Sequence, residues 1–469
     1  MDITERLTSI LGPKGVALGA DAARWHSDWT GKYVSHPLVV ARPDSTAQVA
    51  EVMRLASATG TPVVPVSGNT GLNGGATADG AILLSLDRMN RIREIRPGAR
   101  MAIAEAGVIL SALHEAAEAE GLVFPLTFGA KGSAMIGGVL STNAGGSNVL
   151  RYGNTRDLCL GLEVVLASGE VMDLMSALHK NNSGYDLRHL MIGAEGTLGI
   201  ITAAVLKLAP KPRAYATAMV AVPGLGAALD LLNRMQEATG GAVEAFEYMP
   251  RRYIEAHLAH DPQARAPFDT MHEVNILLEV GATASRDAEP DAEGQVPLVR
   301  YLEEVLEGLF EEGAVLDAVV ARNEAQRREM WARREAAAEV CLSRTPLITN
   351  DIAVPLDRVE AFLERAGEAA ERVDPGCVTT PVAHLGDGNV HYPVHLTSQD
   401  PAVADAVMEA VEEVALDLGG SFSAEHGIGL SKLPSMARRK DKVALAAMRA
   451  VKAALDPQNI LNPGKLLPE

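Results

Sequence analysis

The chain has 469 residues, 47% of them hydrophobic and 22% charged, a composition that excludes a disordered protein and a length that suggests two or three domains. Its 42 basic and 60 acidic residues give a net charge of −18, which disfavours nucleic acid and anionic lipid as partners. No apolar run reaches the roughly 18 residues of a membrane span, no signal peptide is evident, and the three cysteines lie far apart. We therefore expect a cytoplasmic protein without a membrane span or a disulfide framework.

The first part of the chain alternates strand-like and helical patterns. Between short apolar runs in residues 38–95, Ser45 or Thr46 can cap a helix that Gly60 ends. The apolar residues of this helix recur at helical spacing, at Val49, Val52, Met53 and Ala56. A second, glycine-rich strand–helix series covers residues 96–212, and the prolines at 210 and 212 predict a domain boundary.

Beyond that boundary, apolar strands such as RAYATAMVAV and VNILLEV alternate with helices predicted at about 224–240 and 297–312, an α+β pattern. Residues 281–295 are polar and are predicted to form an exposed loop, and residues 323–340 one basic helix. The domains are expected to cover residues 1–212 and 213–454, followed by a C-terminal segment, 455–469, that returns to the first.

A loop almost without side chains, PVSGNTGLNGG, covers residues 65–75. Its glycines fit neither the G-x-G-x-x-G dinucleotide pattern nor the Walker P-loop. Many unobstructed backbone N–H groups could still bind a pyrophosphate, while a plain multi-turn loop is the alternative. Two further glycine-rich stretches, at 125–153 and 191–202, indicate backbone that passes close to something flat or bulky.

The segment HLGDGNVHYPVH covers residues 384–395, and its Asp387-Gly388 pair favours a two-residue type I′ turn. With that turn His384 lies directly opposite His391, with Cβ atoms about 4.5–5.5 Å apart, and His395 lies further along the same face. Two imidazoles so placed can bind one metal ion, although a hydrogen-bonded structural role is the alternative for any single histidine.

Glu425 and His426 lie in the sequence SAEHGIG. Catalytic zinc commonly has three protein ligands, His₂Glu among the known sets, so Glu425 could complete a site with the two histidines. His426 could then act as a base, because neutral imidazole suits proton transfer near neutral pH.

In this order, the motifs SGNTGLNGG, GAKGSAMIGG, STNAGG, RYGNTRD and GAEGTLGI resemble the FAD-binding domain of the vanillyl-alcohol oxidase/para-cresol methylhydroxylase flavoprotein family. More narrowly, the chain resembles the branch of D-2-hydroxyacid dehydrogenases that includes D-lactate, glycolate and D-2-hydroxyglutarate enzymes. The resemblance implies an α+β fold, with a two-subdomain FAD-binding domain and an α+β cap domain that carries an antiparallel sheet.

By the same resemblance, residues 67–73 surround the FAD pyrophosphate, and residues 125–146 and 196–201 line the rest of FAD. The first glycine loop has no histidine, so non-covalent FAD is expected. The implied cofactor-binding residues are Ser67, Gly68, Asn69, Thr70, Gly71, Leu72, Pro125, Gly129, Gly132, Ser133, Ile136, Gly137, Gly138, Thr142, Asn143, Gly145, Gly146, Gly196, Gly199, Ile200, Ile201 and Asn462.

The branch also carries an H-x₆-H motif and a downstream E-H pair. The resemblance implies that His384, His391 and Glu425 bind a divalent metal, Zn²⁺ being expected and Mn²⁺ the alternative, and that His426 abstracts the substrate hydroxyl proton. A carboxylate substrate needs a cation, and the resemblance favours Arg334 over the adjacent Arg333. Trp331 and Lys465 are the other implied substrate-binding residues. A solvated helix face is the expectation for Arg322, Arg327 and Arg328.

The implied function is FAD- and metal-dependent oxidation of a D-2-hydroxy acid to the 2-oxo acid. The expected electron acceptor is not NAD, and an electron-transfer flavoprotein-like protein or a quinone could take this role. The expected assembly is a homodimer. An O₂-using oxidase, a metal-free aryl-alcohol enzyme and a non-catalytic electron-transfer subunit are the alternatives. Ala338, Asn350 and Pro393 stand where members that bind a dicarboxylic acid carry polar residues. A shorter or more apolar D-2-hydroxy acid is therefore as much expected as a dicarboxylic one.

Overall fold

A computed structural model describes residues 2–469. In chain order the strands are β1 Val16–Ala17, β2 Val39–Ala41, β3 Val63–Val66, β4 Ile82–Ser85, β5 Ile92–Arg96, β6 Met101–Glu105, β7 Leu122–Val123, β8 Cys159–Val165, β9 Val171–Leu174, β10 Ile200–Lys207, β11 Ala209–Pro210, β12 Ala214–Val222, β13 Val243–Pro250, β14 Val274–Ala282, β15 Asp317–Val320, β16 Leu347–Ala353, β17 Val378–Thr379, β18 Val382–His384 and β19 Asn389–His395. The helices are α1 Ile3–Leu11, α2 Thr46–Thr59, α3 Leu110–Glu118, α4 Ile136–Ser141, α5 Val149–Tyr152, α6 Arg188–Met191, α7 Leu225–Thr239, α8 Arg251–His260, α9 Ser285–Ala288, α10 Pro297–Glu311, α11 Glu324–Glu335, α12 Ala337–Leu342, α13 Val359–Val373, α14 Pro401–Asp417, α15 Leu433–Arg439 and α16 Lys442–Leu455.

The chain forms two compact units. Unit 1 contains Met1–Gly145, Gly153–Pro210 and Glu425–Glu469, and unit 2 contains Gly146–Tyr152 and Lys211–Ala424. The structure thus divides the chain after Pro210 and again before Glu425, whereas the sequence placed these divisions after residues 212 and 454. Within residues 2–469 no helix is long and apolar enough to cross a membrane.

Unit 1 contains a four-stranded sheet in the order β1-β2-β4-β3, whose last three strands are parallel, and a five-stranded antiparallel sheet in the order β5-β6-β10-β8-β9. The predicted helix after β2 is confirmed as α2. The Ser45 side chain accepts a hydrogen bond from the Gln48 N–H at its start, and Gly60 ends it in the left-handed conformation. Its apolar face is buried, so periodicity and caps agreed here.

Unit 2 contains an eight-stranded antiparallel sheet in the order β15-β12-β14-β13-β18-β19-β16, with β17 also paired to β19. The helices expected near 224–240 and 297–312 are confirmed as α7 and α10. Together with unit 1 this arrangement confirms the α+β fold class.

The two faces of the unit 2 sheet differ, because successive side chains along a strand point to opposite sides. Val220, Ile276 and Leu278 belong to a core that also contains residues of α7, α10, α13 and α14. Their strand neighbours Met219 and Leu277 belong to a smaller cluster with residues of α8, α11 and α12. The second face also carries the polar side chains described below.

Three sequence predictions for this half of the chain were wrong in detail. The basic segment forms two helices, α11 and α12, with the break at Ala336. Part of 281–295 is regular, since it includes the end of β14 and the short helix α9. Arg327 is not simply solvated, because its guanidinium binds the buried carboxylate of Glu279.

The predicted register of the histidine hairpin is also wrong. His384 pairs with Asn389, and His391 pairs with Val382. The His384 carbonyl accepts hydrogen bonds from the N–H groups of both Asp387 and Gly388, so this Asp-Gly pair ends a four-residue loop. Because the shift is two residues, His384 and His391 remain on the same face as diagonal neighbours, with ring centroids 5.3 Å apart.

Candidate active site

Helix α11 docks on the second face of the unit 2 sheet through side chains at helical spacing. Arg327 donates from Nε and Nη2 to the Glu279 carboxylate, at 2.7 and 2.8 Å, and Trp331 donates from Nε1 to the same group at 2.9 Å. One turn further along, Arg334 donates from Nε to Glu247 Oε2 at 2.8 Å. Because residues i, i+4 and i+7 share one helix face, the pattern places three donors over two buried sheet carboxylates.

Arg334 differs from Arg327 in the use of its donors. The Arg334 residue is 8% exposed, and its Nη2 atom is buried without a hydrogen-bond partner in the described part of the chain. An unmet donor on a buried guanidinium is costly, and a carboxylate is the group that its geometry suits best. This predicted substrate residue therefore has a donor available for an anionic ligand. The adjacent Arg333 also has buried donors without a partner, Nε and Nη1, so it is the contact with Glu247 that distinguishes Arg334.

Glu247 links Arg334 to the histidine hairpin. Its Oε1 atom lies 2.8 Å from His384 Nδ1, while its Oε2 accepts from Arg334. Burial alone raises the pKa of the Glu247 carboxyl, but the adjacent His384 and Arg334 outweigh burial and lower that pKa. A carboxylate on Nδ1 fixes the ring orientation of His384 and directs Nε2 away from Glu247.

The pairing of β16 with β19 adds a carboxylate that the sequence analysis did not assign to the site. Asp351 is the cross-strand partner of His391 and is 2% exposed. The Asp351 side chain accepts hydrogen bonds from Asn389 Nδ2 at 3.0 Å and from the Ala424 N–H at 3.2 Å. The chain continues directly from Ala424 into Glu425 and His426, whose side chains are 3.5 Å apart.

Asp351 and His391 of unit 2 and Glu425 and His426 of unit 1 are the acidic and imidazole side chains that could serve as metal ligands. Of these, His391 and Glu425 are predicted metal ligands, His426 is the predicted base, and Asp351 is an addition. Imidazole and carboxylate donors of this kind suit Zn²⁺ or Mn²⁺.

The first glycine loop, in unit 1, has the backbone expected of an anion-binding loop. No N–H of residues 68–72 donates a hydrogen bond to another described residue, and Asn69 takes a left-handed φ of 53°. The neighbouring glycine stretch is held against the loop, because Ser67 Oγ accepts from the Gly138 N–H at 3.1 Å. A Cβ at Gly68 would lie 2.1 Å from the Ser133 carbonyl oxygen.

The predicted cofactor glycines separate into two groups. A Cβ added at Gly71, Gly129 or Gly132 would meet no described atom within 4 Å, so these positions border open space. A Cβ at Gly137 or Gly199 would instead press on Ala106 or Val164. At the first group a bulky ligand such as FAD could approach the backbone without collision, and the second group allows close packing.

The remaining predicted residues lie in several places. Gly146 belongs to unit 2, whereas Ile200 and Ile201 lie in β10 of unit 1 and are buried. Asn462 donates from Nδ2 to the carbonyl oxygens of Gly75 and Glu195, at 3.0 and 2.8 Å. Burial lowers the pKa of Lys465, and the distant Asp79 partly opposes this effect.

The lysine expected just before Asp351 is replaced by Asn350, which lies on the opposite face of β16 from Asp351 and His391. Its amide donates to the Tyr392 carbonyl oxygen at 3.1 Å. Thr349, which pairs with Pro393, is the neighbour that shares the face of Asp351. The sequence signal for Asp351 and Glu247 was available, since a charged residue inside an apolar strand requires a buried partner.

The fold as a whole is that of known enzymes. The structure of p-cresol methylhydroxylase with substrate bound matches with a TM-score of 0.74 at 15% identity, covering 99% of this chain and 96% of that one. A 4-ethylphenol oxidase from Gulosibacter chungangensis matches with a TM-score of 0.73 at 18% identity, covering 99% and 97%. The chain therefore has the p-cresol methylhydroxylase type of FAD-binding fold.

Sequence comparison defines the family. Residues 37–175 match the FAD binding domain family, and residues 211–466 match the family described as FAD linked oxidases, C-terminal domain. The chain belongs to this family of FAD-linked oxidoreductases.

Its relatives include a D-2-hydroxyglutarate dehydrogenase of Xanthomonas citri pv. viticola, 38% identical over 95% of this chain and 93% of the relative. The mitochondrial D-2-hydroxyglutarate dehydrogenase of Bos taurus is 36% identical over 94% of this chain and 79% of the relative. The D-2-hydroxyglutarate dehydrogenase of Stutzerimonas stutzeri is 33% identical over 99% and 98%. These relatives confirm the resemblance to FAD-linked D-2-hydroxyacid dehydrogenases.

Proposed function

We propose that the chain oxidises a D-2-hydroxy acid to the corresponding 2-oxo acid, with D-2-hydroxyglutarate as the first substrate to test. One observation carries the proposal: Arg334 is a buried cation with an unmet donor, next to the hydrogen-bonded pair of Glu247 and His384. A metal-free aryl-alcohol enzyme has no use for a carboxylate-binding cation beside such a group. The names of the relatives support the same class of substrate.

In this proposal Arg334 binds the C1 carboxylate of the substrate and fixes its orientation. His426 removes the proton of the C2 hydroxyl, and the C–H bond at C2 is broken with loss of a hydride. FAD held by the glycine motifs would supply the acceptor for that hydride and its two electrons. The product is a 2-oxo acid, and the proposed final acceptor of the two electrons is not NAD but an electron-transfer flavoprotein-like protein or a quinone.

His384, His391 and Glu425 remain the proposed metal ligands, and Asp351 is a further candidate because it lies directly opposite His391 on the neighbouring strand. A divalent ion held there would stabilise the negative charge that develops on the hydroxyl oxygen. Zn²⁺ is proposed and Mn²⁺ is the alternative. The other proposed binding residues are Trp331 and Lys465, and the proposed assembly is a homodimer in the cytoplasm.

The test is a panel of D- and L-2-hydroxy acids of different length, supplied with an artificial dye as electron acceptor. We expect dye reduction and bleaching of the flavin absorbance with D acids. His426→Ala should lower kcat by about a hundredfold or more, the usual contribution of a positioned base. The exposed variant His179→Ala is the control. Unchanged turnover in His426→Ala, or no turnover of any 2-hydroxy acid by the FAD-loaded protein, would contradict the proposal.

A further inference from the structure

The loop that carries the proposed base has no regular structure of its own. Residues 425–431 follow α14 and precede α15, and they lie outside any helix or strand. Gly427 and Gly429 both have left-handed φ angles, 74° and 52°. Residues 425–431 are therefore not held by a helix or strand hydrogen-bond pattern. Two side chains from elsewhere in unit 1 contact this loop.

The first is Asn73, the last polar residue of the first glycine loop. Its Nδ2 donates to the carbonyl oxygens of His426 and Gly427, at 3.0 and 2.7 Å, and its Oδ1 accepts from Ser431 Oγ at 2.9 Å. The Asn73 carbonyl oxygen accepts from the Leu430 N–H at 2.7 Å. One residue thus contacts both ends of the base loop and uses its donor and acceptor sides separately.

The second is Glu195, in the motif GAEGTLGI. Its two carboxylate oxygens accept from the N–H groups of Ile428 and Gly429, each at 2.8 Å. Glu195 also takes a left-handed φ of 49°, which is unfavourable for a residue with a Cβ. Its own N–H and carbonyl are fixed by Ser141 and Asn462, which hold it in that conformation.

The glycines of the loop are required by this contact. A Cβ at Gly427 would lie 2.8 Å from a Glu195 carboxylate oxygen, and a Cβ at Gly429 would lie 2.2 Å from the Asn73 carbonyl oxygen. The pattern EHGIG therefore provides the base together with two positions that let the loop lie against both anchors.

We propose that Asn73 and Glu195 are positioning residues for His426, and that they connect FAD binding to the order of the base loop. Both belong to glycine motifs that are proposed to contact FAD, so the backbone on which FAD would lie is hydrogen-bonded to the loop of the base. FAD that immobilises residues 67–73 and 196–201 would then also stabilise residues 425–431. The proposal rests on His426 acting as the base, but the order of the loop can be measured without activity.

The test uses two nearly isosteric variants of the full-length FAD-loaded protein. Asn73→Asp replaces the donor to two carbonyls by an oxygen, and Glu195→Gln removes the charge that accepts two N–H bonds. The matched controls are Asn181→Asp and Glu170→Gln, which change exposed residues of unit 1. Ser431→Ala is a milder variant that removes only the hydroxyl donor to Asn73, in case either anchor variant fails to fold.

The first readout is hydrogen exchange of the amides in residues 426–431, with and without FAD. Loss of a charged acceptor should speed exchange of the Ile428 and Gly429 amides in Glu195→Gln by about tenfold or more. In the wild type, removal of FAD should increase exchange of the same segment. Wild-type-like protection in both anchor variants, or no effect of FAD on the wild-type loop, would overturn the proposal.

The second readout separates positioning from stability. In both anchor variants we expect kcat per bound flavin to fall by about tenfold or more with KM within about threefold, since one mispositioned base affects the chemical step. A fall in activity that only follows FAD content would overturn the positioning role. Should the wild type oxidise no 2-hydroxy acid, the proposed function fails, while the exchange experiment still decides whether FAD orders the loop.

Discussion

Arg334 and Arg327 offer a matched pair of substitutions on one helix. Both guanidiniums bind a buried sheet carboxylate, Glu247 or Glu279, but only Arg334 keeps a buried Nη2 without a partner in the described chain. Arg334→Lys keeps a positive charge near Glu247, yet a single ammonium cannot reproduce the forked geometry that serves two carboxylates at once. Arg327→Lys disturbs an equivalent ion pair without touching the proposed substrate donor.

The expected size of the effect follows from the donor that is lost. A hydrogen bond between charged groups contributes about 1.5–3 kcal/mol, which corresponds to roughly a 10- to 150-fold change in binding. We therefore expect Arg334→Lys to raise KM for the 2-hydroxy acid, and the Kd of the 2-oxo acid product, by that factor. Both variants should also unfold more easily, because each weakens a buried ion pair whose complete loss costs about 3–5 kcal/mol.

The assays are steady-state dye reduction, a titration of product monitored by flavin absorbance, and thermal unfolding. Arg327→Lys should lower Tm but leave KM within about threefold, since Glu279 contacts Arg327 and Trp331, whereas the proposed carboxylate donor Arg334 is held by Glu247. Equal KM changes in the two variants would show that displacement of α11, and not a lost ligand contact, explains the effect. A wild-type KM in Arg334→Lys would refute the carboxylate-binding role.

Three further predictions address the metal, the cofactor and the response to acid. Dialysis against a chelator should abolish dye reduction while the yellow colour of bound flavin stays, and added Zn²⁺ or Mn²⁺ should restore dye reduction. Full activity of the metal-free protein would exclude a metal role. Gly71→Val should fold, because its side chain meets no other atom, and yet lose most bound FAD, because it stands in the proposed pyrophosphate loop. Gly98→Val, equally free of contacts but outside the proposed FAD-binding residues, should keep FAD. Equal FAD content in the two variants would contradict FAD binding at Gly71. Burial raises the pKa of the Asp87 carboxyl, but the positive charges of Arg42 and Arg24 outweigh burial and lower that pKa. The ionised Asp87 therefore stabilises the folded protein above the unfolded pKa of about 3.9, and this stabilisation is lost as pH falls through the lower pKa of the folded state. Asp87→Asn should thus be less stable than the wild type at pH 7, with a difference in unfolding free energy that narrows below about pH 4; a constant difference in denaturant titrations would count against the ion pairs.

Features with short-range physical causes were predictable from the sequence. The helices α2, α7 and α10 follow from apolar residues at helical spacing, with Ser45 and Gly60 as local caps for the first. The order of the glycine motifs, together with the H-x₆-H and E-H pairs, led to the family that the comparisons confirmed. The signal for each helix, and each single motif, lies within about twenty consecutive residues, although the family required several motifs in order along the chain.

The tertiary structure decided what depends on pairing between distant segments. The register of β18 with β19 depends on a four-residue loop and on the pairing of β16 with the other side of β19. The turn preference of the Asp-Gly pair is local and does not predict that register. The same pairing brings Asp351 opposite His391 across 40 positions of sequence, and α11 covers Glu247 and Glu279 with arginines that composition alone would place in solvent. Asn73 and Glu195 likewise meet residues 426–431 across more than 230 positions. The sequence identifies a carboxylate or an amide in a strand or loop, but the tertiary structure determines which residue binds it. The reason is that an unpaired polar group is costly only when it is buried, and burial depends on the fold.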